Sequence, residues 1–354
     1  MTDVQVREDR EVAANPLGLN GFEFVEFTSP DPDAMARQFE QLGFVPTHRH
    51  PSKAITRYKQ GRINLMLNRD EGGRVAAFRE AHGPSASAMA FRVSDPAKAL
   101  DWALAHGGER TDEDDTVIQG IGGSYLYFIQ DGTDLYADWT EIPGWQQAEA
   151  ENNVGLDLLD HLTHNVRRGQ MRVWSEFYRT LFGFEEQKYF DIKGKATGLF
   201  SQAMIAPDKA IRIPLNESQD DNSQIEEFIR QYHGEGIQHL ALTTEDIFDT
   251  VERLRARGVK LQDTIETYYE LVDKRVPGHG EDLERLKRNR ILIDGNVGEE
   301  GILLQIFTEN MFGPIFFEII QRKGNEGFGN GNFQALFESI ELDQIRRGVI
   351  KVEE

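Results

Sequence analysis

Two histidines and one glutamate stand inside apolar, strand-like segments: His161 in DHLTHNV, His239 in IQHLALTT and Glu318 in IFFEII. An imidazole or carboxylate buried in such a strand needs a partner or a metal ion, because an unpaired buried charge is costly. Two imidazoles and one carboxylate can occupy one face of a metal octahedron and leave three positions open, an arrangement typical of non-haem Fe(II) oxygenases. The residue types therefore predict a metal centre, although the same set serves zinc and leaves a zinc hydrolase or isomerase open.

Position in the chain supports this interpretation, since a single strand histidine is more often a hydrogen-bonded core residue than a ligand. His161 and His239 lie at equivalent module openings and Glu318 lies in a closing strand, which favours one shared site. His164 imitates a zinc pair with His161, but residues three apart in a strand point to opposite faces, so only one can enter a cavity. The remaining histidines neighbour proline, glycine or charged residues and are interpreted as solvated loop residues: His48, His50, His82, His106, His233 and His279.

The elements that position these residues follow one pattern that occurs four times, in the order β-α-β-β-β. The opening strands are predicted at 22–27, 88–93, 160–166 and 237–244. In the second and fourth copies, Asp95 and Gly107 bound the helix as Asp246 and Gly258 do, with the same separation. Glycine at the helix end suits a left-handed cap. The pattern predicts an α+β fold in which paired modules form an open, barrel-like sheet around a cavity.

Two tandem halves, residues 1–150 and 151–354, each contain two modules, and the polar segment 146–153 is predicted to link them. An additional segment at 263–290 is predicted to be a surface excursion that is helical in part. Alignment of the halves sets Phe24, Ala88 and Asp138 opposite the three candidate ligands. We therefore expect the second half to hold the chemistry and the first half to act as scaffold.

Composition narrows the class of protein. Lys and Arg number 39 and Asp and Glu 60, giving a net charge of -21 on 354 residues. Such a field repels phosphate backbones and acidic membrane surfaces, so neither nucleic acid nor membrane is an expected partner. The absence of cysteine excludes thiolate metal sites and thiol nucleophiles. No signal peptide or long apolar run is evident, and a cytoplasmic protein is predicted.

The C-terminal stretch combines glycine with aromatic residues. The run GFGNG at 327–331 resembles a phosphate-binding loop but lacks the Lys-Ser/Thr of a nucleotide site, so we interpret it as a hinge. A helix predicted from Phe333 to Ile345 has an apolar side. It is either ordinary core or a lid over an aromatic-lined pocket. The density of phenylalanine after residue 306 favours a pocket for an aromatic substrate.

With these residues placed, the chain resembles the 4-hydroxyphenylpyruvate dioxygenase family over nearly its whole length. The matching stretches include NPLGLNGFEFVEF at 15–27, DHLTHNV at 160–166, GEGIQH at 234–239, GPIFFEIIQRKG at 313–324 and GFGNGNFQALFESIE at 327–341. The resemblance implies the vicinal-oxygen-chelate fold and one Fe(II) per subunit on His161, His239 and Glu318. It further implies conversion of 4-hydroxyphenylpyruvate and O2 to homogentisate and CO2 in tyrosine and phenylalanine catabolism. A homo-oligomer, dimer or tetramer, assembled through the first half is implied as well.

The resemblance also assigns substrate contacts and ring walls to particular positions. The polar contacts implied are Ser201, Asn216, Gln224, Gln238, Gln305 and Asn332, and the aromatic walls are Phe316, Phe328, Phe333 and Phe337. Amide side chains donate hydrogen bonds without adding a charge that competes for the metal. Two alternatives stay open: a 4-hydroxymandelate synthase acting on the same substrate, and a non-catalytic ligand-binding protein of the same fold.

Overall fold

The structure is a computed structural model that describes residues 15–335 except 112, 113, 115, 194–197 and 333. Its named strands form two eight-stranded sheets, one from residues of each half of the chain. Each sheet curls around one face, so the predicted α+β class with barrel-like sheets is confirmed.

The first sheet has the strand order β6-β7-β5-β1-β4-β3-β2-β8. At its centre, β1 pairs antiparallel with β5 and parallel with β4, while β5 pairs parallel with β7. The parallel pairs join strands that intervening elements separate in the chain, as the module pattern requires. The strands are β1 (Phe22–Thr28), β2 (Val45–Arg49), β3 (Ile55–Gln60), β4 (Ile63–Asn68), β5 (Ser85–Val93), β6 (Ile118–Gln119), β7 (Tyr125–Gln130) and β8 (Thr140–Glu141).

The second sheet repeats this arrangement in the order β10-β11-β12-β9-β13-β16-β15-β14. The central antiparallel pair is now β9 and β13, flanked by β12 and β16 in parallel pairing. The strands are β9 (Leu156–Val166), β10 (Glu185–Lys193), β11 (Gly198–Ile205), β12 (Arg212–Ser218), β13 (Gly236–Thr244), β14 (Leu292–Asn296), β15 (Gly301–Phe307) and β16 (Phe316–Lys323).

Short helices connect the strands and pack on the sheets. They are α1 (Pro32–Gln41), α2 (Gly73–His82), α3 (Pro96–Ala105), α4 (Trp145–Asn152), α5 (Met171–Phe182), α6 (Gln224–Tyr232), α7 (Ile247–Ala256), α8 (Glu266–Glu270), α9 (Val272–Arg275) and α10 (Leu283–Asn289). In the equivalent helices α3 and α7, Asp95 and Asp246 accept hydrogen bonds from the backbone N–H groups of Lys98 and Asp249. Such caps each stabilise a helix by about 1 kcal/mol. No helix within the described ranges is long and apolar enough to cross a bilayer.

Strand register relates the two halves residue by residue. In the first sheet Phe24 pairs with Ala90, and in the second His161 pairs with Ala241. Because β1 and β5 correspond to β9 and β13, Phe24 occupies the position of His161, as the alignment of the sequence predicted. An aromatic ring therefore replaces the first candidate ligand.

The counterpart of Glu318 differs from the one predicted. Glu318 pairs with Ala241 across β16 and β13, and in the first sheet the corresponding pair is Tyr127 with Ala90. Tyr127, not Asp138, therefore takes this position, since Asp138 lies outside β7. At this one position the sequence alignment was wrong, because it set Glu318 against a residue beyond β7 rather than one within it.

The polar segment predicted to link the two halves forms a helix. Most of segment 146–153 belongs to α4, which packs on β2. Its Glu149 forms a 2.7 Å ion pair with Lys59 of β3, and Trp145 lies beside the same lysine. Gln, Ala and Glu are good helix formers, so polar composition alone does not distinguish a surface helix from a linker.

The segment 263–290 is helical in part, as predicted, but it is not a surface excursion. It contains α8, α9 and α10. Tyr268, Tyr269, Val272 and Leu286 are buried in the main hydrophobic cluster. The insertion therefore extends the core of the second half.

Aromatic residues join the two halves in a continuous core. Phe312 lies 5.5 Å from Phe27 and 5.3 Å from Phe39, ring centre to ring centre. Next to this cluster Gln38 donates a 2.7 Å hydrogen bond to the carbonyl of Met311. The first half thus supports the connection that leads into β16, which carries Glu318.

Candidate metal centre

Three adjacent strands, β9, β13 and β16, each provide one candidate ligand. Ala241 is the register partner of both His161 and Glu318. His239 precedes Ala241 by two positions, so strand alternation directs both to the same face of the sheet. The small Ala241 side chain leaves space in front of the central strand, and the three longer side chains converge there.

The converging atoms are close enough to bind one ion. One ligand atom each from His161, His239 and Glu318 lies within 4.8 Å of the others. Glu318 Oε2 is 3.2 Å from His161 Nε2 and 3.4 Å from His239 Nε2. All three residues are buried, and Glu318 Oε1 has no hydrogen-bond partner among the residues described. Because a buried unpartnered carboxylate oxygen is costly, the donor set fits a divalent cation.

Burial and mutual charge oppose each other at these side chains. Burial raises the pKa of the Glu318 carboxyl, but His161 and His239 outweigh burial and lower this pKa to about 2. Burial lowers the pKa of His239. At His161 burial also acts to lower the pKa, but the nearby Glu318 and Asp160 outweigh it and raise the pKa. Glu318 is therefore ionised at physiological pH, as a metal ligand must be.

A charged pair behind the site orients His161. Asp160 Oδ1 lies 2.8 Å from His161 Nδ1. Arg322 donates to both oxygens of Asp160, at 2.7 Å from Nη2 and 2.8 Å from Nε. Burial raises the pKa of Asp160, but Arg322 and His161 outweigh burial and lower this pKa. The Asp160 carboxylate accepts from Nδ1–H and so leaves Nε2 with a lone pair for the metal.

His239 is oriented by an amide and an aromatic ring. Gln238 Oε1 lies 3.0 Å from His239 Nδ1 and can accept a hydrogen bond from Nδ1–H, which again leaves the Nε2 lone pair free. The ring of Phe316 stacks on the imidazole at 4.8 Å. On the other side of the site, Phe328 contacts the His161 ring edge to face at 5.2 Å. Each imidazole therefore has both a hydrogen-bond partner and a packing partner.

His164 takes no part in this centre. It lies on the opposite face of β9, where its Nε2 is 2.6 Å from the hydroxyl of Tyr178 in α5. Burial lowers the pKa of His164 to about 3, so the ring is neutral. The expectation that only one of the H-x-x-H pair enters the cavity agrees with this geometry.

A cavity of about 460 Å³ opens in front of the three ligands. Every predicted site residue that the structure describes lines it: His161, Ser201, Asn216, Gln224, Gln238, His239, Gln305, Phe316, Glu318, Phe328 and Asn332. Phe333, Phe337 and the remainder of the predicted lid helix lie outside the described residues, apart from 334 and 335. Polar amides and aromatic walls thus surround one space, as small-molecule sites require.

The polar lining comes from separate elements. Ser201 in β11 and Asn216 in β12 are register partners, so they face the cavity side by side. Gln224 is the first residue of α6, whose cap Ser223 accepts from the N–H of Glu226. Gln305 is buried in β15, next to β16 in the sheet. The cavity is therefore held by sheet and helix rather than by loops alone.

Close packing around Gln305 explains one glycine of the GFGNG run. Gly329 has a φ of 69°, and a Cβ there would lie 1.5 Å from Gln305 Oε1. A side chain at this position would displace the amide, so only glycine fits. The hinge role of the run stays a prediction.

Sequence reasoning missed the residues behind the ligands. Arg322 follows Glu318 by four positions in one strand and so shares its face, and Asp160 directly precedes His161. These spacings could have indicated the charged pair. Tyr268 and Arg275, which contact Asn332, carried no comparable signal because they lie in the insertion that has no repeat counterpart.

Comparison with known proteins places the sequence in families that are consistent with the candidate site described above. Residues 13–140 match the family model described as "Hydroxyphenylpyruvate dioxygenase, HPPD, N-terminal", and residues 158–271 match that of the "Glyoxalase/Bleomycin resistance protein/Dioxygenase superfamily". The fold and the family models thus define a member of the glyoxalase and dioxygenase superfamily, and its buried triad is consistent with a metal site. More narrowly, the chain belongs to the 4-hydroxyphenylpyruvate dioxygenase family, as its motifs predicted.

Individual relatives support this membership. A 4-hydroxyphenylpyruvate dioxygenase of Pseudomonas aeruginosa is 55% identical over 349 residues, 95% of this chain and 97% of that protein. One from Legionella pneumophila is 49% identical over 346 residues, covering 95% and 98%. Among solved structures, a triple mutant of 4-hydroxymandelate synthase from Streptomyces coelicolor aligns with a TM-score of 0.79 at 27% identity, covering 93% and 100%.

Proposed function

We propose that this enzyme converts 4-hydroxyphenylpyruvate and O2 to homogentisate and CO2, with Fe(II) bound by His161, His239 and Glu318. The observation that carries the proposal is the convergence of these three buried side chains at a cavity lined by amides and phenylalanines. Family membership supports the substrate, since the relatives above carry its name. Cytoplasmic location remains a prediction from the sequence.

Iron would supply open coordination positions for the 2-oxo acid and O2 and the redox chemistry of oxidative decarboxylation and ring hydroxylation. The protein residues supply the rest. Two neutral imidazoles and one carboxylate cancel only part of the charge of a divalent ion, so the centre attracts the anionic 2-oxo acid. Asp160 and Gln238 keep both imidazoles in the metal-binding tautomer.

The cavity lining would orient the substrate and exclude water. Phe316 and Phe328 present ring faces and edges that suit a phenyl ring. Ser201 and Asn216, paired across β11 and β12, provide donors and acceptors for a substrate oxygen at the same face. Holding the ring between these groups would favour hydroxylation at one ring position.

The direct test is product analysis. The iron-loaded enzyme, given 4-hydroxyphenylpyruvate and O2, should form homogentisate and release CO2 in equal amounts. His161→Ala, His239→Ala and Glu318→Ala should each abolish turnover and iron retention. Absence of oxygen consumption in the iron-loaded protein would contradict the proposal and favour a zinc enzyme or a non-catalytic binding protein.

One alternative has a specific observation in its favour. The structural match to a 4-hydroxymandelate synthase at a TM-score of 0.79 shows that the same architecture carries a different named activity. The two functions differ in the carbon hydroxylated, which the fold does not decide. If the main product of the assay above is 4-hydroxymandelate, this alternative replaces the proposal.

We also propose that the first half is structural and supports a homo-oligomer. Phe24, Ala88 and Tyr127 occupy the positions of the three ligands, and the rings of Phe24 and Tyr127 lie 5.6 Å apart in that space. These side chains offer no metal-binding set. Light scattering of the enzyme, with a monomeric mass as the contrary result, tests the assembly.

A further inference from the structure

A buried hydrogen-bond chain connects the insertion to the cavity. Its first member, Arg275 of α9, donates from Nη2 to the hydroxyl of Tyr268 at 2.6 Å and from Nη1 to Asn332 Oδ1 at 3.3 Å. Tyr268, in α8, lies 2.6 Å from the same Asn332 oxygen. Asn332 Nδ2 in turn donates to Gln305 Oε1 at 3.2 Å. Tyr268, Asn332 and Gln305 are buried, so water does not replace these contacts readily.

The donor and acceptor chemistry of these groups determines the direction of each hydrogen bond in this hydrogen-bond chain. A guanidinium only donates, and a backbone N–H only donates. The Tyr268 oxygen therefore accepts from Arg275 and from the N–H of Ile293, at 2.9 Å, and this fills its two lone pairs. The hydroxyl then donates its single hydrogen bond to Asn332 Oδ1 at 2.6 Å, which is nearer than the carbonyl of Ile293 at 3.1 Å.

The hydrogen bonds to Asn332 Oδ1 determine the orientation of the Asn332 amide and, through it, that of the Gln305 amide. Asn332 Oδ1 accepts hydrogen bonds from the Tyr268 hydroxyl and from Arg275. The Nδ2 group of Asn332 must therefore face Gln305. Gln305 then accepts through Oε1, and its Nε2 is the end that remains for the cavity that Gln305 lines. An amide without such neighbours could present either end.

The chain stays intact over the working pH range. Burial raises the pKa of Tyr268, and Arg275 and the Ile293 N–H lower it in part, which leaves the pKa at about 12. The hydroxyl therefore keeps the proton that it donates. Asp294 further fixes this region, since its Oδ2 accepts from the N–H of Gly331 at 2.7 Å and Oδ1 lies 3.9 Å from Arg275 Nη1.

We propose that Tyr268 and Arg275 are positioning residues that act through Asn332 to hold Gln305 with its N–H group toward a substrate oxygen. The inference rests on the proposed function, because it takes the ligand in the cavity to be the 2-oxo acid. It gives Tyr268 and Arg275 a role in catalysis although neither residue lines the cavity. Loss of the chain would let the Gln305 amide rotate and present a repelling carbonyl.

Tyr268→Phe removes the hydroxyl and keeps the ring. We expect the iron-loaded variant, under nitrogen, to bind 4-hydroxyphenylpyruvate about 10-fold more weakly by calorimetry, since one oriented hydrogen bond is lost. Turnover should fall by a similar factor with iron content unchanged. The matched control is Tyr269→Phe, the same change at the next residue of α8. The Tyr269 hydroxyl forms no hydrogen bond with any of these four side chains, so this variant should bind as the unaltered enzyme does.

A second comparison separates positioning from general stability. In a Gln305→Ala background, Tyr268→Phe should have less than a 2-fold further effect on binding, because the group through which it acts is gone. An undiminished effect in that background would overturn the inference. Arg275→Lys keeps the charge but loses the two-pronged guanidinium donor, and it should also weaken substrate binding. This variant tests the inference if Tyr268→Phe does not fold.

A readout without substrate distinguishes this inference from the proposed function. In a ¹⁵N spectrum, the side-chain N–H signals of Asn332, assigned with Asn332→Asp, should move in Tyr268→Phe and stay in place in Tyr269→Phe. Unmoved signals in Tyr268→Phe would refute the hydrogen-bond chain even if the enzyme makes homogentisate. Lack of homogentisate from the unaltered enzyme would refute the proposed function. The Asn332 N–H signals would still show whether the hydrogen-bond chain exists.

Discussion

At the scale of single residues, the candidate metal centre is supported by an ion pair, Asp160 and Arg322, that lies outside the proposed ligand set. Asp160 contacts His161, and the bidentate Arg322 keeps Asp160 ionised in a buried position. Arg322 also donates to the carbonyls of Asn325 and Gly327, directly before the phenylalanine that packs on His161. One guanidinium therefore couples the orientation of a ligand to the wall of the cavity.

This arrangement predicts the effect of Asp160→Asn. The amide retains the size of the side chain but leaves Arg322 without a buried counter-charge and weakens the hold on His161. We expect metal affinity to fall by about 10- to 100-fold, as for other residues that support ligands. Metal titration measures this, with Asp157→Asn as control, since Asp157 is more exposed and pairs with Arg62 away from the centre. Equal affinities for both variants would contradict the prediction.

Sequence reasoning identified the three candidate ligands that the structure brings together, but not the residues that support them. His161, His239 and Glu318 were recognisable because they are polar residues in apolar strands, and because Phe24 and Ala88 stand opposite the two histidines in the first half. Tyr268 gave no such signal, since a tyrosine in a helical segment is ordinary and its partner Asn332 lies far along the chain. Contacts of this kind arise from tertiary packing, which the periodicity of one segment does not encode.

At the scale of elements, the strands were predictable and the additions to the repeat were not. Strand openings are rich in Phe, Val, Ile and Thr, and the helices of the second and fourth modules end near a glycine at the same spacing. The segment with α8, α9 and α10 is rich in charge and resembles surface, yet its Tyr268 and Leu286 are fully buried. Charged residues of a short amphipathic helix dominate the composition although its apolar face packs inward.

A cavity-forming substitution in α10 tests this placement. Leu286→Ala should lower the free energy of unfolding by about 2 to 5 kcal/mol, because a fully buried leucine leaves a void. Leu283→Ala in the same helix removes the same atoms from a partly buried side chain and should cost less. Urea unfolding provides both values. Similar small losses for the two variants would restore the interpretation of a surface excursion.

At the scale of the whole molecule, the halves meet through groups that respond to pH as well as through apolar rings. His82, at the end of α2, stacks on Tyr232 of α6 at 4.6 Å, and its Nδ1 lies 2.7 Å from the Tyr232 carbonyl. On the same face, Phe78 packs against the imidazole and His233 lies near Ala81. Because α6 begins with Gln224 in the cavity lining, this contact connects the first half to the site.

Protonation of His82 should weaken the contact between the halves. Burial lowers the pKa of His82, and His233 lowers it further, while the Tyr232 carbonyl raises it in part. The unfolded chain therefore binds the proton more readily, so the stability that His82 contributes is complete above its ordinary pKa of about 6.5 and is lost as pH falls below that value. The difference in free energy of unfolding between the unaltered enzyme and His82→Gln should accordingly be larger at pH 7.5 than at pH 5.5. Urea titrations at both values measure this, and the control His106→Gln changes a histidine that stacks on Trp102 of its own helix. A difference that stays constant or grows at low pH would show that His82 does not resist protonation in the folded protein.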